Sequence, residues 1–285
     1  MFIATLVAKD RLSVGDISVA MDRLADAGCE GMTSRWLAEH KASDISFSGE
    51  SGVARNALEG QLGAIDVIIQ PEAHRHRKLL VADMDSTMIT VECIDELADY
   101  AGIKPEIAAI TERAMRGELE FEAALRSRVA LLEGLSEAVV AECLAERVKL
   151  MQGGKELVQA IHNAGGMAIL VSGGFTHFAE PVGKMIGFDR VIANRLGFSD
   201  GKLNGTVEGD IVGAETKKAA LLAALAEKDW GVEHSIAVGD GANDIPMIET
   251  AGLGVAYHAK PRTVAAAHSS IRYGNLKAIA YAIAG

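Results

Sequence analysis

Cysteine is scarce in this sequence, which argues against a disulfide framework or a structural zinc site. The three cysteines, Cys29, Cys93 and Cys143, lie far apart and show no Cys-x-x-Cys spacing. Structural disulfides belong to oxidising compartments, and zinc sites usually need closely spaced ligand pairs. We therefore expect three small buried thiols in a protein of the reducing cytosol.

Long apolar runs and an excess of basic charge are also missing. No run approaches the ~20 apolar residues that a membrane span needs. The opening MFIATLVAKDRL shows no basic leader before an apolar stretch. With 39 acidic and 28 basic residues the formal net charge is −11, which argues against nucleic acid or an anionic membrane as a partner. We expect a cytoplasmic protein in which locally positive groups must receive any anionic substrate.

Residues 1–72 have the pattern of a small α+β domain. Apolar and turn residues predict a strand at FIATLVA, a helix at SVGDISVAMDRLADAG, two further strands, a second helix and a last strand at AIDVIIQ. This order is that of the ferredoxin-like fold. The domain resembles the ACT type, which often senses amino acids. The basic stretch PEAHRHRK that follows reads as a solvated linker.

Residues 78–285 predict an α/β domain with a Rossmann-like parallel sheet, because strands such as LLVA, AILV and IAV alternate with helical segments. The stretch at about 90–150 breaks the alternation, since it is helical almost throughout. We expect it to be an inserted cap, because caps exclude water from a site and select substrates. A plain helical bundle on one side of the sheet is the alternative.

Polar residues follow three of the predicted strands. They are Asp83 and Asp85 after LLVA, Ser172 and Gly173 after AILV, and Asp240, Asn243 and Asp244 after IAV. Parallel strands bring their carboxyl ends to one edge of the sheet, where open α/β sheets bind ligands. Four carboxylates can gather there only around positive charge. An all-oxygen set suits Mg²⁺, and Lys217, early in a later helix, is a candidate cation for a phosphate.

The segments DMDST, SGG, a single lysine and GDGAND occur in the order and spacing of the haloacid dehalogenase superfamily of phosphotransferases. Asp85 favours phosphoryl transfer, because the dehalogenases of this superfamily lack an acid at that position. The longer stretches DMDSTMITVECIDELA, VSGGFTHFA and GDGANDIPMIETAGLGVAYHAKP resemble the phosphoserine phosphatase family. The resemblance covers the C-terminal part of the chain.

This resemblance implies a role for each motif residue. Asp83 would be the nucleophile that forms an aspartyl-phosphate, and Asp85 the general acid and then the base. Mg²⁺ would be held by the Asp83 carboxylate, the Asp85 backbone carbonyl and the Asp240 carboxylate. Ser172, the Gly173 N–H and Lys217 would bind the phosphoryl oxygens. Asn243 would contact the phosphate or the substrate. Asp244 would orient Lys217 or a metal-bound water.

The cap would supply the choice of substrate. Glu92 matches the acid that binds the substrate ammonium in this family, and Arg128 matches the arginine that binds its carboxylate. Met115 and Phe121 would wall the pocket, or else pack in the helix core. The implied reaction is hydrolysis of O-phospho-L-serine to L-serine and inorganic phosphate, the last step of serine biosynthesis.

Two alternatives to this reaction stay open. One is a phosphatase or phosphomutase of the same superfamily that acts on a sugar phosphate or phosphohomoserine. The other is an amino-acid-sensing regulator with a vestigial catalytic domain. A homodimer is also left open.

Overall fold

The computed structural model of the protein describes residues 1–116 and 118–284, without the side chain of Met115, so the predicted pocket role of Met115 lies outside the described residues. One sheet contains eleven strands: β1 (Phe2–Ala8), β2 (Glu30–Ala38), β3 (Ala42–Ser48), β4 (Ile65–Pro71), β5 (Leu79–Ala82), β6 (Met167–Phe175), β7 (Arg190–Ser199), β8 (Lys202–Glu208), β9 (Ser235–Gly239), β10 (Leu253–Tyr257) and β11 (Ser269–Ile271).

The α-helices pack on this sheet or over its edge. They are α1 (Val14–Asp26), α2 (Ser51–Leu58), α3 (Cys93–Ala101), α4 (Lys104–Met115), α5 (Phe121–Ala130), α6 (Glu137–Arg147), α7 (Gly154–Asn163), α8 (Thr176–Ile186), α9 (Ala214–Lys228), α10 (Ile245–Thr250), α11 (Pro261–Ala266) and α12 (Lys277–Ala284). Within the described residues no helix has the length and apolar character required to cross a membrane.

The first four strands and two helices follow the predicted order of the ferredoxin-like fold, which is confirmed. Their strands lie in the order β2-β3-β1-β4, and each pair is antiparallel. Helix α1 begins at a capping box, in which Ser13 Oγ accepts from the Asp16 N–H and the Asp16 carboxylate accepts from the Ser13 N–H. This exchange satisfies N–H groups that have no partner inside the helix.

The remaining strands form the predicted Rossmann-like parallel sheet, in the order β11-β10-β9-β5-β6-β7, and β8 closes the edge as the antiparallel partner of β7. Strand β5 is apolar throughout because both of its faces are covered. Leu80 and Ala82 pack in one core with α7, α8 and α12. Leu79 and Val81 pack in a second core with α9 and α10. Asp83 therefore follows a strand that is fixed from both sides.

Helices α3 to α6 form the predicted helical insertion. The chain leaves and re-enters the core through two neighbouring segments, which are joined by an antiparallel bridge between Ile89 and Leu150. The Met151 N–H donates to the Met88 carbonyl at 2.8 Å on the core side of this bridge. The insertion therefore stands on a narrow, hydrogen-bonded base directly beside the end of β5.

Residues 1–72 are joined to the rest of the sheet where Val67 of β4 pairs with Ser270 of β11. The buried carboxylate of Asp66 accepts three backbone N–H groups after β11, those of Arg272 (2.7 Å), Tyr273 (3.1 Å) and Gly274 (2.7 Å). A carboxylate that receives several N–H donors is held firmly. Residues 1–72 and the rest of the chain thus share one sheet.

The expectation of a solvated linker at PEAHRHRK is wrong for its two arginines. Arg75 is 4% exposed and its Nη1 lies 2.5 Å from Oδ2 of the buried Asp44. Arg77 is 1% exposed and donates to Gln70 Oε1 at 3.2 Å. A buried guanidinium group needs acceptors from other parts of the chain. A local sequence pattern does not show where those acceptors lie.

The three cysteines are buried, as expected. Cys29, Cys93 and Cys143 are all free thiols in the described structure. Each packs in an apolar cluster: Cys29 in that of the N-terminal strands, and the other two, which lie in α3 and α6, in the large core shared by the helical insertion and the sheet.

Candidate active site

Asp83 is held at the edge of the sheet by a buried lysine. Its N–H continues the ladder by donating to the Val238 carbonyl at 3.0 Å. Lys217, on the first turns of α9, is fully buried, and its Nζ lies 2.6 Å from Asp83 Oδ1 and 2.6 Å from Asp244 Oδ1. Burial opposes the charged ammonium, but the carboxylates of Asp244 and Asp83 raise the pKa of Lys217. Lys217 is therefore a cation clamped between two carboxylates.

The loop after β9 carries the second of these carboxylates in a tight turn. Asp244 Oδ2 accepts from the Gly241 N–H at 2.9 Å. A Cβ atom at Gly239 would lie 2.3 Å from Asp244 Cγ. Because no side chain fits there, glycine at position 239 is a steric requirement for bringing Asp244 against Lys217.

A group of carboxylates at this edge has the composition of a metal site. Oxygen atoms of Asp83, Asp240 and Asp244 all lie within 4.8 Å of one another. Burial, together with the charge of Asp244, raises the pKa of Asp83 well above its usual range and that of Asp240 to about 6. A divalent cation would relieve this repulsion, and hard cations bind all-oxygen sets. The residues present therefore fit a metal ion.

Asp244 belongs to this acidic group, although the sequence indicated only a supporting role for it. The side chain of Asp85, by contrast, is outside the group. The sequence analysis gave no function to Thr87. Its hydroxyl donates a hydrogen bond to Asp240 Oδ1 at 3.3 Å and orients that carboxylate. The position of Thr87, four residues after Asp83 in the DMDST motif, was the sequence feature that could have indicated this contact.

Asp85 is a half-buried carboxyl group with a raised pKa. Burial, and secondly the charge of Glu92, raise the pKa of Asp85 to about 7. Its Oδ1 has no hydrogen-bond partner among the described residues. A Cβ at Gly174 would lie 2.9 Å from Asp85 Oδ2, so glycine there gives Asp85 its space. A carboxyl group with such a pKa can both donate and accept a proton at neutral pH.

The last residues of β6 present a hydroxyl and backbone groups beside Asp85. Ser172 is buried, and its Oγ accepts from the Gly174 N–H at 2.9 Å. Asn194 Nδ2 donates to the Gly173 carbonyl at 2.8 Å, while its Oδ1 accepts from the Val212 N–H at 2.8 Å. The sequence analysis missed Asn194, although it lies in β7 directly beside this end of β6.

These groups surround one cavity of about 760 Å³ between the sheet edge and the helical insertion. The predicted residues that line it are Asp83, Asp85, Glu92, Phe121, Arg128, Ser172, Gly173, Asp240 and Asn243. Lys217 and Asp244 lie behind this wall. The wall also contains Lys260, Arg262 and Thr263, to which the sequence analysis gave no role, although Lys260 lies within a quoted motif.

The helical insertion contributes a carboxylate, a guanidinium group and an aromatic ring to the cavity. Glu92 Oε1 accepts from Ser86 Oγ at 2.6 Å. Arg128 Nη1 donates to Thr111 Oγ1 at 3.3 Å, whereas Arg126 is turned away and donates to the Val207 carbonyl. Phe121 is 38% exposed and lies over the end of β6, since its ring would be 3.4 Å from a Cβ at position 173. It is therefore a wall residue and not a core residue.

The fold and this site define a known class of protein. The chain belongs to the haloacid dehalogenase-like hydrolase family, whose model matches residues 80–249. That range includes every motif residue that the site brings together at the sheet edge.

Several proteins that the chain resembles carry the name phosphoserine phosphatase. The chain is 45% identical over 201 residues to the phosphoserine phosphatase of Haemophilus influenzae, and the match covers 70% of this chain and 64% of that protein. The chain thus spans less than two thirds of that relative's length. A probable phosphoserine phosphatase from Vibrio cholerae has a similar structure, with a TM-score of 0.80, 34% identity, and 99% of this chain and 85% of that chain covered.

A further similar structure is that of a phospho-aspartyl intermediate analogue of a phosphoserine phosphatase. It has a TM-score of 0.67 and 38% identity, and the match covers 72% of this chain and 97% of that chain.

Proposed function

We propose that this protein is a phosphatase that hydrolyses O-phospho-L-serine to L-serine and inorganic phosphate, with Asp83 as the nucleophile and Mg²⁺ as the cofactor. The observation that carries the proposal is the two-sided cavity. Asp83, Asp85 and Ser172 face it from the sheet edge, and Glu92 and Arg128 face it from the helical insertion. One side suits a phosphate, and the other suits the charges of an amino acid.

The chemistry follows from the positions of Asp83 and Asp85. A carboxylate oxygen of Asp83 attacks phosphorus, and the bond between phosphorus and the serine oxygen breaks. Asp85, whose pKa is raised to about 7 by burial and by the charge of Glu92, gives its proton to the departing oxygen. The ionised Asp85 then accepts a proton from the water that attacks the aspartyl-phosphate, so that phosphate leaves and Asp83 is restored.

The remaining groups at the sheet edge stabilise charge. The Ser172 hydroxyl and the Gly173 N–H would receive phosphoryl oxygens, and Asn243 would contact the phosphate or the substrate. Lys217 acts from behind the wall by fixing the Asp83 carboxylate. Asp83 and Asp240, with the Asp85 backbone carbonyl, would hold Mg²⁺, which supplies positive charge to the phosphate when bound. The proximity of Asp244 makes it a further carboxylate for this ion.

The helical insertion gives the reason for preferring phosphoserine. Glu92 would pair with the substrate ammonium and Arg128 with its carboxylate in a bidentate contact. A sugar phosphate offers neither group. Three features support this substrate: these two charges, the wall formed by Phe121, and the similarity to proteins named phosphoserine phosphatases.

The organisation of the chain is part of the proposal. Residues 1–72 would form an ACT-like domain, and residues 78–285 the phosphatase core with its cap at about 90–150. The three free, buried cysteines fit the cytoplasmic location that we propose.

The proposed reaction is tested by phosphate release from a panel of esters. The panel contains O-phospho-L-serine, phosphothreonine, phosphohomoserine, several sugar phosphates and p-nitrophenyl phosphate, each assayed with Mg²⁺ and with EDTA. We expect phosphoserine to be strongly preferred and EDTA to stop the reaction, because the carboxylates at the sheet edge repel a phosphate without a cation. Preference for a sugar phosphate would contradict the assignment of Glu92 and Arg128, and inactivity on every ester would favour the regulator alternative.

Replacing Arg128 by alanine should affect phosphoserine far more than an aryl phosphate. Loss of a charge-assisted pair is worth about 2–3 kcal/mol, so kcat/KM for phosphoserine should fall by about 30- to 150-fold. The value for p-nitrophenyl phosphate should change little, because that ester has no carboxylate. Arg126→Ala is the matched control, since Arg126 donates to Val207 and lies outside the cavity wall. Equal losses on both esters in Arg128→Ala would show that Arg128 is structural.

A further inference from the structure

Helix α11 lies between the cavity and helix α2, which belongs to residues 1–72. Its first residues and the residue before it, Lys260, Arg262 and Thr263, are in the cavity wall. The Lys260 N–H donates to the Asp240 carbonyl at 3.3 Å, so the start of the helix is attached to the loop that carries Asp240. The other end of this six-residue helix faces α2 of the N-terminal unit.

The cavity end of α11 carries groups that suit a phosphate ester. Thr263 is fully buried, yet its Oγ1 has no hydrogen-bond partner among the described residues. A buried unpaired hydroxyl costs about 1–3 kcal/mol, a cost that contact with a bound oxygen would remove. Lys260 and Arg262 are exposed cations in a wall that otherwise holds many carboxylates. Their placement depends on the placement of α11.

The far end of α11 is capped by Arg55 of α2. Its Nη2 donates to the Val264 carbonyl at 3.4 Å, and its Nη1 donates to the Ala267 carbonyl. Carbonyls at the end of a helix have no partner inside it. The His268 N–H, which would have continued the helix, donates instead to the Gly254 carbonyl at 2.9 Å. Arg55 thus satisfies acceptors that the helix leaves open.

Arg55 is itself fixed by an acidic partner four residues later, just after the end of α2. Its Nε lies 2.5 Å from Oε2 of Glu59, whose side chain is only 8% exposed. Glu59 Oε1 also accepts from Arg272 Nη2 at 3.2 Å and from the Ser270 hydroxyl. Since Ser270 belongs to β11, this network holds the guanidinium in one place relative to the core sheet.

We propose, on the basis of the proposed function, that Arg55 is a positioning residue for the active site. By capping the end of α11, it fixes Lys260, Arg262 and Thr263 in the cavity wall, so that residues 1–72 set the rate of a reaction that takes place outside them. Thr263 contributes its hydroxyl to the bound phosphate ester. This gives the N-terminal unit a direct structural part in turnover.

The test compares Arg55→Ala, Arg55→Lys and the control Arg11→Ala in the full chain. Arg11 is exposed and its described side-chain contacts are with His40 of the same unit. Steady-state kinetics on O-phospho-L-serine and hydrogen exchange at the Val264 and Ala267 amides are measured together with thermal unfolding. In Arg55→Ala we expect faster exchange at both amides and kcat/KM lower by about tenfold, because misplacing a site costs up to ~100-fold. Arg55→Lys should recover part of the exchange protection and part of kcat/KM. Arg11→Ala should match the wild type in both.

A second comparison separates positioning from general weakening of the fold. If Arg55 acts through α11, the double variant Arg55→Ala/Thr263→Val should lose no more kcat/KM than the worse of its two single variants. Fully additive losses, or wild-type exchange and turnover in Arg55→Ala, would overturn the proposal. If Arg55→Ala does not fold, the same comparisons are made with Arg55→Lys.

The two proposals can fail separately. A wild-type chain that prefers another ester contradicts the proposed substrate, and the variants are then compared on that ester. If the chain hydrolyses no ester, the proposed function fails, and unchanged exchange at the two amides would still overturn the role of Arg55.

Discussion

Replacing Asp83 by asparagine is expected to abolish phosphate release while the chain remains folded. The amide cannot attack phosphorus, and loss of a nucleophile typically costs at least about 10⁴-fold in turnover. The substitution is nearly isosteric. Because burial raises the pKa of Asp83, the ionised carboxylate is costly in the folded state, and we expect the thermal midpoint to stay the same or to rise. Lys217 keeps its partner Asp244.

The covalent step is measured by acid quenching after brief exposure to ³²P-labelled substrate. The wild type should carry label on the protein, and Asp83→Asn should carry none. Asp210→Asn is the matched control, because Asp210 is an exposed aspartate outside the cavity wall. Turnover of Asp83→Asn near the wild-type rate would contradict the aspartyl-phosphate mechanism.

Replacing Lys217 by methionine is expected to impair both folding stability and turnover. Methionine fills most of the volume, but it leaves the buried carboxylates of Asp83 and Asp244 without the cation that lies 2.6 Å from each. Removing one partner of a buried ion pair typically costs about 3–5 kcal/mol. Turnover should fall as well, since Asp83 loses the contact that orients it. The free energy of unfolding is measured in EDTA, so that no divalent cation can take the place of the ammonium.

This loss of stability should depend on pH in a definite direction. Asp83 has a raised pKa in the folded state, so its ionisation destabilises the fold most at high pH, and the penalty disappears as the pH falls towards the unfolded value of about 3.9. Without Lys217 this penalty is larger. The difference between variant and wild type should therefore be smaller at pH 5 than at pH 8. Lys218→Met is the control, because Lys218 is only partly buried. A difference that does not vary with pH would contradict the ion-pair interpretation.

The meeting of several site residues at one edge of the sheet could be predicted from the sequence, because it depends on local patterns. Asp83, Ser172 and Asp240 each follow a buried apolar run, and parallel pairing brings such strand ends to one edge. The helical insertion was equally visible, since sixty residues of helical spacing cannot belong to the sheet. The ferredoxin-like order followed from the same alternation.

Other features depend on contacts between distant parts of the chain and left no local signal. Arg55 and the Val264 carbonyl are 209 residues apart, and Arg75 meets Asp44 across 31 residues. A basic stretch such as PEAHRHRK looks solvated until its acceptors are known. The burial of Lys217 likewise depends on how α9 lies behind the sheet edge, which spacing alone does not give.

The joint between β4 and β11 has a consequence for shortened versions of this protein. If the chain were cut before β5, strand β11 would become an open edge able to pair with other chains. The N–H groups of Arg272, Tyr273 and Gly274 would lose their acceptor, Asp66. Residues 1–72 therefore protect an edge of the core sheet, and we expect a chain cut before β5 to aggregate more readily than the full chain.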